Sequence, residues 1–363
     1  MQSVIPVVDL DDLSPSATED AVNRASTALL EAFGNYGLVF IRNHGINRVE
    51  VGHLYDAFVE VLERPESEKA SWGGPEIWYQ RGWTPPNTEQ AVVAGGQPDF
   101  KECFFASSSE LDPRCKTFWP ELYSDNVWPE DAPAFRQHTL SLSRAVHQVG
   151  LQLLRGCARA LDLEDDALIR RVQGGASVSR ILKYLELSPA QVGQGVLWGE
   201  EHTDFNLLTL LPGGAFYRNG RRVDGCPEGQ VGLELRTRPD DTHPNGQRIS
   251  GRPPAGCIVA QVGQQLEVLT GGRFLATPHV IHAPGETGWT RTSFAHFVHL
   301  QGMVPVAPLP GFAAADDAYA PPVLAGNYGM KTLIDIGLAP RSELDRLGYR
   351  HYGRLAAMRE REE

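Results

Sequence analysis

The chain of 363 residues predicts a mainly β fold with flanking helices, and three observations carry that prediction. Short apolar runs of strand length, bounded by Gly and Pro, recur through the second half at 179–184, 205–211, 257–269 and 274–281. Helical periodicity is instead concentrated before residue 175, above all in one long stretch over 135–161. The length exceeds that of a usual domain and no internal repeat divides it, as in barrel and sandwich enzymes that run on as one unit.

The elements follow in order. Residues 5–10 read as a first strand. Ser16 then caps a helix in capping-box fashion with Glu19, and Val22, Ala25, Leu29, Ala32 and Phe33 form its buried stripe. Gly34 and Gly37 end it. A strand over 38–42 closes on the turn Asn43-His44-Gly45-Ile46, where His44 reads as a packing or turn residue, and a second helix covers 49–62. The 135–161 helix carries Leu142, Val146, Val149, Leu153, Leu154 and Cys157 along one side, which suits a brace on the outside of a barrel. A shorter helix is expected over 165–172. Between 212 and 256 the composition turns to Pro, Gly, Arg and Asp, a hairpin region with an excursion at the rim. Beyond Gln301 the chain is Pro- and Ala-rich to about 324, and 327–363 looks helical, able to lid a site, with a frayed end.

Composition narrows the partners. The net charge is 33 − 45 = −12, which argues against a nucleic-acid groove and an anionic membrane surface. The five cysteines are scattered and lack a Cys-x-x-Cys, as expected of reduced thiols in a cytoplasm. The first ten residues lack a basic start and include Asp9, and no apolar run reaches the length of a membrane span. A cytoplasmic protein acting on a small-molecule substrate, as a monomer or small homo-oligomer, is the expectation.

The chemistry concentrates between 201 and 300. On a strand over 201–211, His202 and Asp204 share a face, about 6.5–7 Å apart along the chain. Of the eleven histidines only His202 has an acid two residues on. An imidazole and a carboxylate, joined by a second imidazole, make the two-histidine, one-carboxylate triad of non-haem Fe(II) oxygenases, which leaves three octahedral positions open. His279 is the choice for that second imidazole, 279 − 204 = 75 residues on; His282, His296 and His299 are its rivals. Arg291 and Ser293 share a strand face, and a guanidinium beside a hydroxyl suits a carboxylate.

In combination these motifs become specific. His-Thr-Asp-Phe at 202–205, Leu-Thr-Gly-Gly-Arg-Phe-Leu-Ala-Thr-Pro-His at 269–279 and Arg-Thr-Ser at 291–293 resemble the isopenicillin N synthase-like branch of Fe(II)/2-oxoglutarate oxygenases. The Thr-Gly-Gly…Thr-Pro-His run and Gln-Pro-Asp-Phe-Lys-Glu at 97–102 are most similar to bacterial members, including ethylene-forming enzyme. The resemblance implies one oxygenase domain over 1–363. A helical and strand region (1–175) would precede a double-stranded β-helix (jelly roll, cupin-like) core over about 176–300, followed by a C-terminal extension. It implies Fe(II) at His202, Asp204 and His279, with 2-oxoglutarate and O2 as cosubstrates and the far carboxylate of 2-oxoglutarate on Arg291 and Ser293. Tyr184 matches a tyrosine that contacts 2-oxoglutarate, although Leu182 stands where relatives have an Asn. Arg180 aligns with a pocket arginine. Tyr79, Arg81, Trp83 and Glu102 fall where relatives wall the substrate pocket, next to the alternative that they are core aromatics and solvated charges; Phe205, which follows the triad's acid, is a further expected substrate contact. Gly263-Gln264 replaces the family's Gly-Asp, so a supporting carboxylate is missing.

The implied reaction is hydroxylation, desaturation or cyclisation of a small metabolite with release of succinate and CO2. Three competitors stay open: a 2-oxoglutarate-independent Fe(II) oxidase or cyclase like isopenicillin N synthase, a zinc hydrolase, and a non-catalytic cupin-like binding protein.

Overall fold

The computed structural model describes residues 4–89, 100–239, 241–312 and 319–343. Strands β1 (Val7–Asp9) and β2 (Leu38–Arg42) pair in parallel, and the crossover between them is helix α1 (Glu19–Asn35). Its cap is Thr18, whose hydroxyl accepts the Ala21 N–H at 3.3 Å, and not Ser16, which bonds Ser14 instead. The later start puts Glu19 and Asp20 in the first turn, where the helix dipole favours negative charge. Helix α2 (Arg48–Leu62) follows, capped by Asn47. Next come β3 (Gly82–Thr84), β4 (Lys101–Ala106), α3 (Pro133–Ala160) and β5 (Val178–Tyr184). The short helix expected over 165–172 is only Ile169–Val172, because Asp165 and Asp166 are drawn into ion pairs with Arg159 and Arg170.

The second half is strand-rich: β6 (Gly199–His202), β7 (Leu208–Leu211), β8 (Gly214–Arg218), β9 (Arg221–Val223), β10 (Gly232–Arg236), β11 (Arg248–Ser250), β12 (Ile258–Val262), β13 (His279–His282) and β14 (Trp289–Val298). Between β12 and β13 lies α4 (Gln264–Leu269), and near the end α5 (Ala325–Asp335). Among the described residues two sheets make the core. The major one runs β1-β2-β12-β7-β14-β5-β4-β3, with β8 and β9 attached to β14, and the minor one runs β11-β10-β13-β6. This is the jelly-roll arrangement that the resemblance implies.

Strand alternation sorts the two faces of the major sheet. On β14, Phe294 and Val298 belong to the outer core beneath α3, while Ala295 and Phe297 belong to the inner cluster with Leu182, Tyr184 and Trp198. Helix α3 lies close: a Cβ on its Gly150 would sit 3.1 Å from Leu210 and 3.2 Å from Val298. The brace expected of 135–161 is therefore present, and its named apolar residues are all buried.

Three strand expectations need correction, and in the first, 274–281, the strand starts only at His279, in β13. The run 201–211 is not one strand: β6 and β7 belong to different sheets, and Asp204 sits in the crossing between them. Likewise 257–269 is a strand followed by α4, because Leu266 and Leu269 pack in the outer core while Gln264, Gln265 and Glu267 find buried polar partners. The helical reading of 327–363 holds only as far as Asp335, where α5 ends, and residues 336–342 form turns and bends; residues 344–363 lie outside the described residues, as do 97–99 of the Gln-Pro-Asp-Phe-Lys-Glu motif.

Candidate metal centre and adjoining cavity

His202 ends β6 and His279 begins β13, and the two are cross-strand partners in the minor sheet. That pairing sets the imidazoles side by side, ring centroids 4.4 Å apart. Asp204 follows in the crossing, its Oδ1 3.6 Å from His202 Nε2 and 3.8 Å from His279 Nε2. The crossing is held by backbone groups at the start of α4. The N–H groups there have no partner within the helix, and those of Gln264 and Gln265 donate to the carbonyls of Asp204 (2.7 Å) and Asn206 (3.0 Å). A Cβ at Gly263 would lie 2.1 Å from the Asn206 carbonyl oxygen, so this approach needs glycine. Gly263-Gln264, for all that it lacks a supporting carboxylate, thus positions the acid through its backbone.

Buried polar side chains then orient each donor. Thr209, in β7, donates to Asp204 Oδ2 at 2.6 Å, leaving Oδ1 toward the imidazoles. His202 Nδ1 lies 2.7 Å from the Glu200 carbonyl, which fixes the proton on Nδ1 and the lone pair on Nε2. His279 Nδ1 faces the Thr277 carbonyl at 3.3 Å and the Gln261 amide at 2.5 Å. Gln261 Oε1 is buried without a partner. A proton on His279 Nδ1, with the amide turned so that Oε1 accepts it, satisfies both groups and frees the second Nε2 lone pair.

The donor set fits a first-row divalent ion. Two atoms bonded to one ion at about 2.0–2.2 Å cannot lie farther apart than about 4 Å, and 3.6 and 3.8 Å meet that limit. Burial, and next the neighbouring His202, lower the His279 pKa to about 4, so its ring is neutral at pH 7, as a ligand must be. The rival histidines lie elsewhere. His282 contacts Glu234 at 3.3 Å; His296 points outward to His147 (2.9 Å) and Ser179 (2.8 Å); His299, on the cavity wall, has its ring tilted 49° against that of Phe205. A second set of close donors among the described residues, Glu50, His53 and His138, is at the surface.

Comparison with known proteins agrees with this geometry. Residues 5–131 match the family model described as non-haem dioxygenase in morphine synthesis N-terminal. The chain is 26% identical over 317 residues to the 2-oxoglutarate-dependent dioxygenase ecdK of Aspergillus rugulosus, covering 80% of this chain and 87% of that protein. A putative 2OG-Fe(II) oxygenase family protein from Caulobacter crescentus superposes with a TM-score of 0.73 at 25% identity, over 92% of this chain and all (100%) of the other. These matches are to 2-oxoglutarate- and Fe(II)-dependent oxygenases, the reaction class that the donor set also fits. A full-length Neurospora crassa protein in complex with alpha-KG shares the fold at 20% identity, with a TM-score of 0.72 over 92% of this chain and 96% of that one.

In this oxygenase Arg291, Ser293 and Tyr184 lie on the inner face of the major sheet, Arg291 and Tyr184 being cross-strand partners. The Arg291 guanidinium carbon sits 5.4 Å from the Tyr184 ring centre and 5.7 Å from that of Phe216. Tyr184 itself stacks on Trp198. No acid or other hydrogen-bond acceptor reaches the Arg291 guanidinium among the described residues, which leaves its planar donor fork available.

On the other side of the candidate ligands opens a cavity of about 280 Å³. Its walls include Phe105, Val178, Phe205, Phe297 and Leu333, and α5 closes it through Gly326, Gly329 and Thr332. A Cβ on Gly326 would fall 2.2 Å from the Trp119 ring, so this contact is what lets α5 come down; Trp119 Nε1 also donates to Asn327 at 2.9 Å. Tyr328 donates to Gln264 Oε1, tying α5 to the residue that holds the Asp204 crossing.

Three of the six expected substrate contacts, Arg81, Arg180 and Phe205, line this cavity. Three do not. Glu102 is buried against Lys69 (2.5 Å) and accepts from Trp83 Nε1 (3.2 Å), so Trp83 and Glu102 belong to the packing behind the wall; Tyr79 packs against the cluster around Trp119 and Met330. For Trp83, alternation on the three-residue β3 cannot tell which face meets the cavity. Sequence reasoning missed Thr209 and Gln261. A Gln in the otherwise apolar run Ile258–Val262 was the available signal.

Proposed function

We propose that His202, Asp204 and His279 hold the Fe(II) of this oxygenase, and that Arg291, Ser293 and Tyr184 receive the 2-oxoglutarate carboxylate farthest from the metal. The observation that carries the reading is the convergence of two Nε2 atoms on one Asp204 oxygen, each ring oriented by its Nδ1 partner. Bound ferrous iron supplies the redox chemistry, in which 2-oxoglutarate and O2 are converted to succinate and CO2 as the substrate is oxidised.

The protein's part is placement. Thr209 and Gln261 fix the donor directions, Arg291 grips an anion end-on, and the apolar walls with α5 overhead exclude water from the reacting centre. The substrate enters the cavity beside Phe205, Arg180 and Arg81. A small metabolite suits its volume, and the names of curated relatives, flavonol synthase 3 of Arabidopsis thaliana among them, favour the same reading. Within the family, the motifs favour the isopenicillin N synthase-like branch and its bacterial members, with one domain over 1–363. The test is succinate formed from 2-oxoglutarate by the iron-loaded protein. Succinate formation that needs Arg291 supports the reading; substrate oxidation without succinate would place the protein with the 2-oxoglutarate-independent oxidases.

A further inference from the structure

Five charged groups on the cavity wall, Glu89 among them, already have partners. Arg180 meets Glu89 at 2.6 Å, Lys101 lies 3.5 Å from the same carboxylate, Glu201 pairs with Arg236 (Nε to Oε2, 3.0 Å), and Asp335 pairs with Lys331 at 2.5 Å. Arg81 differs. Its residue is 1% exposed and it lines the cavity, yet no carboxylate lies within ion-pair distance among the described residues. Its Nη1 donates to the Gln80 carbonyl (2.6 Å) and its Nη2 to the Leu122 carbonyl (3.2 Å), while Nε is buried with no acceptor. Asp125 acts on it only at a distance, and that side chain is exposed and engaged by Lys116 at 2.6 Å.

A guanidinium stays protonated even where burial pulls its pKa down, here to about 10. A buried charge without a counter-ion is costly, and proteins keep one where a ligand supplies the missing charge. The surroundings say what kind of ligand. Leu122, Val178, Phe297, Leu333 and Ile336 offer apolar surface, and His299, on the same wall, feels the charge of both Arg81 and Asp204.

Resting on the oxygenase reading above, we propose that Arg81 is a specificity-determining residue. It receives the carboxylate of a primary substrate whose apolar body lies along Phe205 and Phe297, so that oxidation takes place at carbon remote from the acid group. The anion supplies the counter-charge that Arg81 lacks among the described residues; Arg180, already matched by Glu89, serves as wall.

The experiment uses the full chain loaded with Mn(II) and 2-oxoglutarate without O2, so that the metal and the Arg291 anchor are occupied. Calorimetry compares 3-phenylpropanoate and 5-phenylpentanoate with their primary amides. The acids are expected to bind at least about tenfold more tightly than the amides, the scale of one charge-assisted hydrogen-bonded pair. Arg81→Gln should bring that ratio close to one, and Arg81→Lys should restore part of it. Equal binding of acid and amide to the unaltered protein, no binding of either acid, or a ratio that survives Arg81→Gln would each overturn the proposal. Because the ratio in the unaltered protein is itself decisive, a poorly folded variant does not remove the test. Failure of the oxygenase reading shows separately, as absence of Mn(II) from the triad or of succinate from the iron-loaded enzyme.

Discussion

Replacing Gln261 by Leu tests the orienting role of a residue that touches neither iron nor cosubstrate in the proposed site. Gln261 is 1% exposed and meets His279 Nδ1 at 2.5 Å, so the substitution removes the nearer partner of that ring nitrogen. What remains is the Thr277 carbonyl at 3.3 Å, a longer contact that holds the ring less firmly. Loss of the outer partner of a ligating imidazole typically weakens metal binding 10–100-fold, or about 1.4–2.8 kcal/mol. Leu fills nearly the same volume, so the cost to folding should stay below about 1.5 kcal/mol. Mn(II) titration followed by electron paramagnetic resonance gives the affinity, and thermal melting of the metal-free protein gives the fold. Gln261→Glu, which offers a stronger acceptor to Nδ1–H, should bind at least as tightly as the unaltered protein. A Leu variant within twofold of the unaltered affinity, or a Glu variant weaker than Leu, would refute the argument that Nδ1 is oriented from β12.

Other outcomes follow from the same geometry. Thr209→Val keeps the shape of a buried side chain but removes the 2.6 Å hydrogen bond to Asp204, and should weaken Mn(II) binding by about tenfold in the same titration. Arg291→Leu should raise the 2-oxoglutarate concentration needed for half-maximal succinate formation by two orders of magnitude or so, as expected for a lost bidentate carboxylate contact; an unchanged requirement moves the anchor elsewhere. Gly326→Ala forces a methyl group to within 2.2 Å of the Trp119 ring, and overpacking of that kind costs about 1–3 kcal/mol, read as a lower melting temperature with red-shifted Trp119 fluorescence as α5 lifts. His299 supplies a pH dependence. Burial lowers its pKa from 6.5 to about 3, so between those values the unfolded chain binds the extra proton; stability from this group is full above about pH 6.5 and declines toward pH 3. Melting temperatures of His299→Leu should therefore depend less steeply on pH between 6.5 and 4 than those of the unaltered chain.

What is legible in the sequence and what is not divide along a physical line. Local periodicity locates α1, α2, α3, β2 and β5 to within a few residues, because each buries one continuous apolar stripe or run. Spacing singles out His202 and Asp204, and the resemblance adds His279; these three groups converge. Strand alternation is nevertheless the wrong reason for Asp204: it reaches its place through a sheet-to-sheet crossing clamped by α4, a tertiary arrangement invisible to period-two counting. The α4 helix itself reads as strand because Leu266, Val268 and Leu269 supply the apolar residues that a buried strand would also have. Trp83 and Glu102 mislead for a related reason: on the short β3 and β4, which face meets the cavity depends on how Lys69 arrives from elsewhere in the chain.

The most direct measurement is anomalous diffraction at the iron edge from crystals of anaerobically iron-loaded protein. The account predicts one strong peak within bonding distance of His202 Nε2, His279 Nε2 and an Asp204 carboxylate oxygen. A peak at the surface group Glu50, His53 and His138 alone, or none near Asp204 in iron-replete crystals, would contradict it.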